Sequence, residues 1–388
     1  MNATKIRIYP TSEQADFLNR QFGAVRFVYN KSLHIISSQY KRHGIKLNAK
    51  HDMKKLLPIA KKSRKYGWLK DFDSMALQEA CINLDKAYCN FFDPKLAAKY
   101  PKFKKKLGKQ TSYHCTSVGV GENWIKIPKC SPINAKVHRG IEGKVKSITL
   151  SKSPTGKYYA SILVDDGVAD KPLMQTLDSV VGVDMGITHI AIQSNGGKQA
   201  NPRFLDNAAR NLRRKQKALS RKKKGSKGRT KARLHVAKAH ERTANARNDF
   251  QHKLSRQLID ENQAVVVETL KVKNMLKNKR LSKHIADASW GMFIEKLSYK
   301  AKHEGKHLIK IDQWYASSKT CSCCGNQVEV LPLNIRQWDC PACFIKLDRD
   351  INAAINIRQQ GILKLRAEGY SVPANGGLRK TEHDSAAA

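Results

Sequence analysis

The sequence predicts a multidomain α+β protein, and three observations carry that expectation. Its 388 residues are enough for two or three domains, each with a real core. Hydrophobic periodicity changes twice along the chain: helical spacing gives way to alternation, and alternation to short β-branched runs set among helices. With 40% hydrophobic and 27% charged residues, the composition is that of a folded chain and not a disordered one.

Lys5-Ile6-Arg7-Ile8-Tyr9 alternates up to Pro10 and predicts a short strand. Thr11-Ser12-Glu13-Gln14 has capping-box spacing, and Leu18, Phe22, Val25 and Val28 follow at helical intervals. Leu77, Cys81, Leu84, Tyr88 and Phe91 repeat that pattern, so residues 11–95 are expected to be mainly helical. Pro101-Lys102-Phe103-Lys104-Lys105-Lys106 predicts a basic hinge carrying one aromatic. From 111 to 166 the period becomes two. Ile125 and Ile127 alternate before Pro128, and residues 147–151 place Ile148 and Thr149 on opposite faces. Ser153-Pro154-Thr155-Gly156 then turns the chain into a hairpin partner over 158–164. The expectation is a small, barrel-like β unit with the helical block inserted after its first strand.

Residues 170–177 predict a linker. Beyond it, Val180-Val181-Gly182-Val183-Asp184 reads as a buried strand, Met185-Gly186 as a turn, residues 189–193 as a returning strand and Ser194-Asn195-Gly196-Gly197 as the next turn. Residues 203–258 are helical and dense in Lys and Arg, with a break near Gly225-Ser226-Lys227-Gly228. Ala264-Val265-Val266-Val267-Glu268 is a second buried strand, 290–302 a helix and 308–311 a short strand. A tail from 373 to 388, with Gly376-Gly377 and Ala386-Ala387-Ala388, is expected to be disordered. No internal repeat interrupts this order.

Lys and Arg number 73 against 32 Asp and Glu, a formal charge of +41. Such an excess repels itself unless a polyanion neutralises it, and nucleic acid is the expected partner. The longest apolar stretch, 179–192, is too short for a membrane span and contains Asp184. Met1-Asn2-Ala3-Thr4-Lys5 offers no apolar signal core, which points to the cytoplasm. The nine cysteines, an odd number, fit a reducing compartment better than a disulfide framework. Cys81, Cys89, Cys115 and Cys130 are scattered and read as small buried apolar residues.

The other five cysteines lie close together. Cys321-x2-Cys324 and Cys340-x2-Cys343 are two knuckles separated by 15 residues, a spacing that lets four thiolates converge on one structural Zn2+. Cys323 stands as an alternative to Cys324. Asp184 and Glu268 each end an apolar β-branched strand, where a carboxylate is costly without a cation. Either acid alone could cap a neighbouring loop. Asp350 opens a helix pinned by Ala353, Ala354 and Ile357. Three such hard oxygen donors suit Mg2+, and a pair of ions could serve phosphodiester hydrolysis. Asp348 either supports the ions or simply caps the helix.

Three segments, Gly182-Val183-Asp184-Met185-Gly186-Ile187, Val267-Glu268 and Asp348-Arg349-Asp350-x-Asn352-Ala353-Ala354, resemble the split motifs of a RuvC-type RNase H fold. The ribbon before the third segment, entered through Ser317-Ser318-Lys319-Thr320-Cys321, is similar to that of the TnpB family of transposon-encoded proteins. So are Gly23-x-x-Arg26-Phe27-Val28-Tyr29-Asn30 and Ala286-Asp287-Ala288-Ser289-Trp290. The resemblance implies an RNA-guided DNA endonuclease related to type V CRISPR effectors. It would bind a transposon-derived guide RNA, recognise a short motif beside its double-stranded DNA target, and cut at one RuvC site. Asp184, Glu268 and Asp350 would be the carboxylates that hold two Mg2+ ions.

By the same resemblance, residues 1–10 and 110–178 form a split β-barrel wedge domain and 11–109 a helical recognition insert. Residues 179–316 and 345–372 form a RuvC-like nuclease domain and 317–344 a zinc ribbon. One protein per RNA is expected, in a bacterial or archaeal cytoplasm and on the nucleoid when bound to DNA.

The runs around Arg213, Arg214 and Lys215 and around Arg221 and Lys222 suit a phosphate backbone, because Asp206 is the only acid between Arg203 and Lys238. Taken singly, each of these residues could be part of a solvated face. Lys102, Phe103 and Lys104 are a second candidate, with Phe103 available to stack on a base. Gln78 is either an adenine reader or solvent-facing. The competing function is a guide-RNA-dependent DNA-binding repressor that does not cut. Drift to that role is expected to lose at least one acid, and all three are present.

Overall fold

In β1 (Asn2–Tyr9) the alternation places Ile6 and Ile8 on one face, both almost fully buried. Thr11 then stops the strand and starts α1 (Ser12–His43) through a complete capping box with Gln14. The Gln14 amide also donates to Ser131 Oγ at 2.8 Å, which ties the helix start to a loop of the sheet. Gly44, in the left-handed region at φ 65°, ends the helix. After it come α2 (Lys54–Lys62) and α3 (Ser74–Phe92), the latter capped by Asp73. Six further strands follow: β2 (Thr111–Cys115), β3 (Gly119–Val120), β4 (Trp124–Lys126), β5 (Ile133–Lys136), β6 (Lys144–Lys152) and β7 (Tyr158–Asp165). The structure, a computed structural model, describes residues 1–106, 111–332 and 334–373; the expected tail beyond 373 lies outside them.

The strands form one sheet in the order β2-β6-β7-β1-β5-β4-β3, so β1 sits at its centre although the helical block separates it from every partner. The two edge strands, β2 and β3, are consecutive in sequence with only Thr116, Ser117 and Val118 between them, which requires the sheet to curl. Helices and sheet share a single core: Leu18, Phe22, Leu77 and Leu84 pack with Ile6, Tyr113, Ile148 and Ile162. Two expectations change here. The basic hinge is instead a strap on α1. Lys104 N donates to Asn30 Oδ1 at 2.8 Å, Asn30 Nδ2 returns a bond to Lys104 O at 2.9 Å, and Lys104 Nζ lies 4.0 Å above the Tyr29 ring. Cys81 and Cys115 are buried and Cys130 partly so, but Cys89 is exposed. It follows Cys81 by eight residues, a rotation of about 80° on a helix of 3.6 residues per turn, which carries it out of the buried stripe.

Residues 1–168 make one compact unit, and residues from 169 onward make a second. The second begins with the expected linker, which is packed: Met174 N donates to Gly305 O and Leu177 N to Ser371 O, both at 2.9 Å, and Leu177 is fully buried. Next come β8 (Val180–Asp184), β9 (His189–Gln193), β10 (Lys198–Ala200), α4 (Phe204–Ser220) and α5 (Lys227–Glu261). The chain continues through β11 (Ala264–Val267), α6 (Val272–Met275), α7 (Ser282–Ala288), α8 (Trp290–Glu304) and β12 (His307–Lys310). It then passes through the hairpin β13 (Gln337–Asp339) and β14 (Lys346–Asp348) into α9 (Arg349–Ala367). The main sheet runs β10-β9-β8-β11-β12, with β8, β11 and β12 parallel.

Both faces of that sheet are covered, which is why its strands read as unbroken apolar runs. Val181, Val183, Val265 and Val267 pack against α5 and α8. Val180, Ala264 and Val266 face α9. The α9 backbone comes so close that a Cβ on Gly182 would collide with the Ala354 carbonyl and the Arg358 backbone. No helix among the described residues is long and apolar enough to cross a membrane.

Candidate metal and nucleic-acid sites

Parallel pairing sets Val183 opposite Val267, so the next residues, Asp184 and Glu268, leave the same edge of the sheet side by side. Asp350 reaches that edge from the first turn of α9, whose start is fixed by Asp348. The Asp348 carboxylate accepts from Asp350 N and Ile351 N at 3.0 Å and pairs with Lys198 at 2.5 Å, so it is a helix cap. Three carboxylates converging on a half-buried spot repel one another. Burial first, then the charges of Glu268 and Asp350, push Asp184 from its ordinary 3.8 up to about 7, against the opposing pull of the Met185 amide and Arg349. The three acids are electrostatic neighbours without forming a closed cage: their oxygens do not all lie within 4.8 Å of one another. An acid cluster of this kind has a strong demand for cations.

Three neighbours had no clear signal in the sequence. Ser317 Oγ donates to Glu268 Oε1 at 2.7 Å and fixes that carboxylate. Arg336, from the loop before β13, donates to Asp350 Oδ1 at 3.1 Å. Lys198 reaches Asp348 from β10. Only Ser317 lies in a segment that the sequence singled out, the lead-in to the first knuckle.

The thiolate site is built on two turns. Cys321 and Cys324 come from one, and Cys340 and Cys343 from the loop between β13 and β14. All four Sγ atoms lie within 4.8 Å of one another, with Cys321–Cys343 at 3.7 Å and Cys324–Cys340 at 3.6 Å. A tetrahedron with Zn–S bonds of about 2.3 Å has S–S edges of about 3.8 Å, and a disulfide would need about 2.05 Å. The four thiols could therefore hold a structural zinc. Cys323 and Cys324 are both exposed, and of the two only Cys324 has its Sγ within the group. Although burial opposes it, the Cys343 and Ala342 amides lower Cys340 to about 6, whereas, against the pull of the Ile345 amide, burial and the three neighbouring thiols push Cys343 up to about 12.

Two asparagines lock this site to the helix that carries Asp350. Asn352 accepts from Ser322 N and donates to Thr320 O, both at 2.8 Å, and Asn356 donates to Ser317 O at 2.8 Å.

Of the basic candidates, Arg213 and Arg214 on α4 and Arg221 and Lys222 just after it are exposed, and Lys215 is half-buried. The loop closing α4 onto α5 is held by Arg229, which donates to Leu219 O at 3.0 Å and Lys222 O at 2.8 Å. In the first unit, Lys102 and Phe103 project from the strap, Lys104 is engaged with Tyr29, and Gln78 is half-buried on α3.

Comparison with known proteins bears on the family and the fold of the chain. Residues 165–279 match a family model described as a probable transposase (OrfB_IS605), and 290–357 a Cas12f1-like TNB domain. Residues 1–45 match a model described as a helix-turn-helix domain; here they fold as β1 and one continuous helix. A putative RNA-guided DNA endonuclease of Streptomyces pristinaespiralis is 37% identical over 366 residues, covering 93% of this chain and 89% of the relative. The putative RNA-guided DNA endonuclease InsQ of Escherichia coli (strain K12) is 29% identical, covering 93% and 92%. Among solved structures, Cas12f1 in its complex with sgRNA and target DNA aligns over 89% of this chain and 82% of that one, with a TM-score of 0.52 at 15% identity, a likeness of fold. With the Streptomyces relative 37% identical over 93% of this chain, and family matches in both units, the chain belongs to the TnpB family of OrfB_IS605-type proteins.

Proposed function

We propose that this chain is an RNA-guided DNA endonuclease that hydrolyses phosphodiester bonds at a single acidic site. The observation that carries the reading is the convergence of Asp184, Glu268 and Asp350 at one sheet edge, where burial and mutual repulsion raise Asp184 to about 7. Such a set has no structural use without cations, and it lies in a chain of charge +41 whose natural partners are polyanions. Its relatives, named as putative RNA-guided DNA endonucleases over nearly the whole chain, support the same reading.

In this reading the second unit is a RuvC-like nuclease domain and the curled sheet of the first is the wedge, with α1–α3 as the recognition helices. Asp184, Glu268 and Asp350 would hold Mg2+. Bound there, the ions would supply Lewis-acid stabilisation of the developing charge and an acidified water. The chain's own contribution is positioning. Ser317 orients Glu268, the Asp348 cap fixes the first turn of α9 under Asp350, and Arg336 supplies a cation beside Asp350 that a phosphate could share. The exposed arginines of α4 track a backbone without reading its sequence, so target choice falls to guide pairing and to a short duplex motif read by the protein. A single zinc held by Cys321, Cys324, Cys340 and Cys343 is structural, since four thiolates leave no open coordination position.

The test is cleavage of guide-matched duplex DNA by the protein purified with its native RNA, in Mg2+. Asp184→Ala should abolish cutting, by at least a hundred-fold, while guided DNA binding survives. Undiminished cutting by that variant would remove the proposed site.

A further inference from the structure

The edge that carries the acids holds a second feature. Between the exits of β11 and β12 lies a cleft of about 310 Å3, within the range of small-ligand sites. Glu268 forms part of its wall, with Lys271, Asn274, Asp312, Gln313 and Tyr315. Its two sides are tied together: Thr269 Oγ1 donates to Ile311 O at 2.7 Å. Between the lining residues Gln313 and Tyr315 the chain presents Trp314, 81% exposed, the most exposed tryptophan among the described residues. The Asp312 carboxylate accepts from the Trp314 amide at 2.7 Å and so fixes the turn that presents it. The Lys271 ammonium lies 5.5 Å from the indole centroid.

An indole in water is costly unless something covers it. The cleft beside it is lined by two side-chain amides, Asn274 and Gln313, each offering both a donor and an acceptor, and by Lys271, a flexible cation that reaches the indole. Flat apolar area, amide hydrogen bonding and a nearby positive charge are together the chemistry of a nucleotide: base face, base edge and phosphate. We propose that this cleft is a subsite for one unpaired nucleobase, stacked on Trp314, which sets the register of the strand presented to Glu268 and its partner acids. The subsite rests on the reading of those acids as the cleavage centre. Trp314 is a positioning residue in it, because it touches the strand beside the reacting phosphate and takes no part in the chemistry.

The experiment is a cleavage assay with the protein–RNA complex and guide-matched DNA in which each target nucleotide in turn is replaced by an abasic residue. Trp314→Ala should slow cutting of intact DNA about ten-fold, the loss of one stacking contact, while Trp314→Phe retains most of the rate. In the wild type, one abasic position should produce a similar loss, and combining that position with Trp314→Ala should add nothing further. Additive losses at every position, or wild-type cutting by Trp314→Ala, would overturn the subsite. So would loss of zinc content or of guided DNA binding in both Trp314 variants, since the residue would then be structural. Asp184→Ala serves as the control: if it still cuts, the reading of the cleavage centre is at fault and not the subsite alone.

Discussion

At the scale of single residues, Asp184 is where folding works against itself. Its carboxyl is raised from 3.8 to about 7, so between those values folding takes up a proton. The sign follows directly: the contribution to stability is fully present below pH 4 and is lost as pH climbs to 7. Asp184→Asn, which keeps the shape and removes the charge, should therefore melt several degrees higher than the wild type at pH 8 in chelator. The gap should close as pH falls towards 4. Thermal scans across that range check this; a constant gap would mean that the burden on Asp184 is not its charge. At this scale the sequence was uneven as a guide. A carboxylate ending a β-branched run is conspicuous because it breaks a strong apolar pattern, and Asp184 and Glu268 stood out for that reason. Arg336, Lys198 and Trp314 sit in or beside loops, where no periodicity marks a residue and position depends on contacts far along the chain.

At the scale of elements, α9 joins two sites. Its first turn carries Asp350, its buried face lies on β8 and β11 next to Gly182, and Asn352 and Asn356 clamp the segment 317–322 that leads into the cysteine site. Cys340→Ser should therefore do two things. Metal analysis should show loss of zinc, and DNA cutting should fall further than the loss of folded protein explains, because the clamp on α9 loosens. Unchanged zinc content would count against the four-thiol site. Most elements were legible in advance, since capping boxes, β-branched runs and knuckle spacing are local signals that tertiary structure rarely overrides. Residues 170–177 were not. Their polar, proline-containing sequence has the composition of a linker, and what fixes them is backbone bonding to Gly305 and Ser371, more than a hundred residues away.

On the scale of the whole molecule, charge dominates. With +41 to neutralise, the logarithm of the affinity for guide RNA should fall linearly with the logarithm of salt concentration, a loss of about a thousand-fold or more between 50 and 200 mM. The double substitution of Arg213→Ala and Arg214→Ala should flatten that slope by about two, and binding titrations at four or five salt concentrations measure it. An unchanged slope would return these exposed arginines to the role of a solvated face. Chain order adds a consequence in time. The basic helices α4 and α5 lie between the first acid and the second, whereas Asp350 and the second knuckle are made near the end. At roughly 5–20 residues per second, a nascent chain carries these basic helices for several seconds before the third acid leaves the ribosome. Under the proposed function, translation would thus deliver a binder first and a cutter last, and a guide RNA could be seated on a chain that is still harmless to DNA.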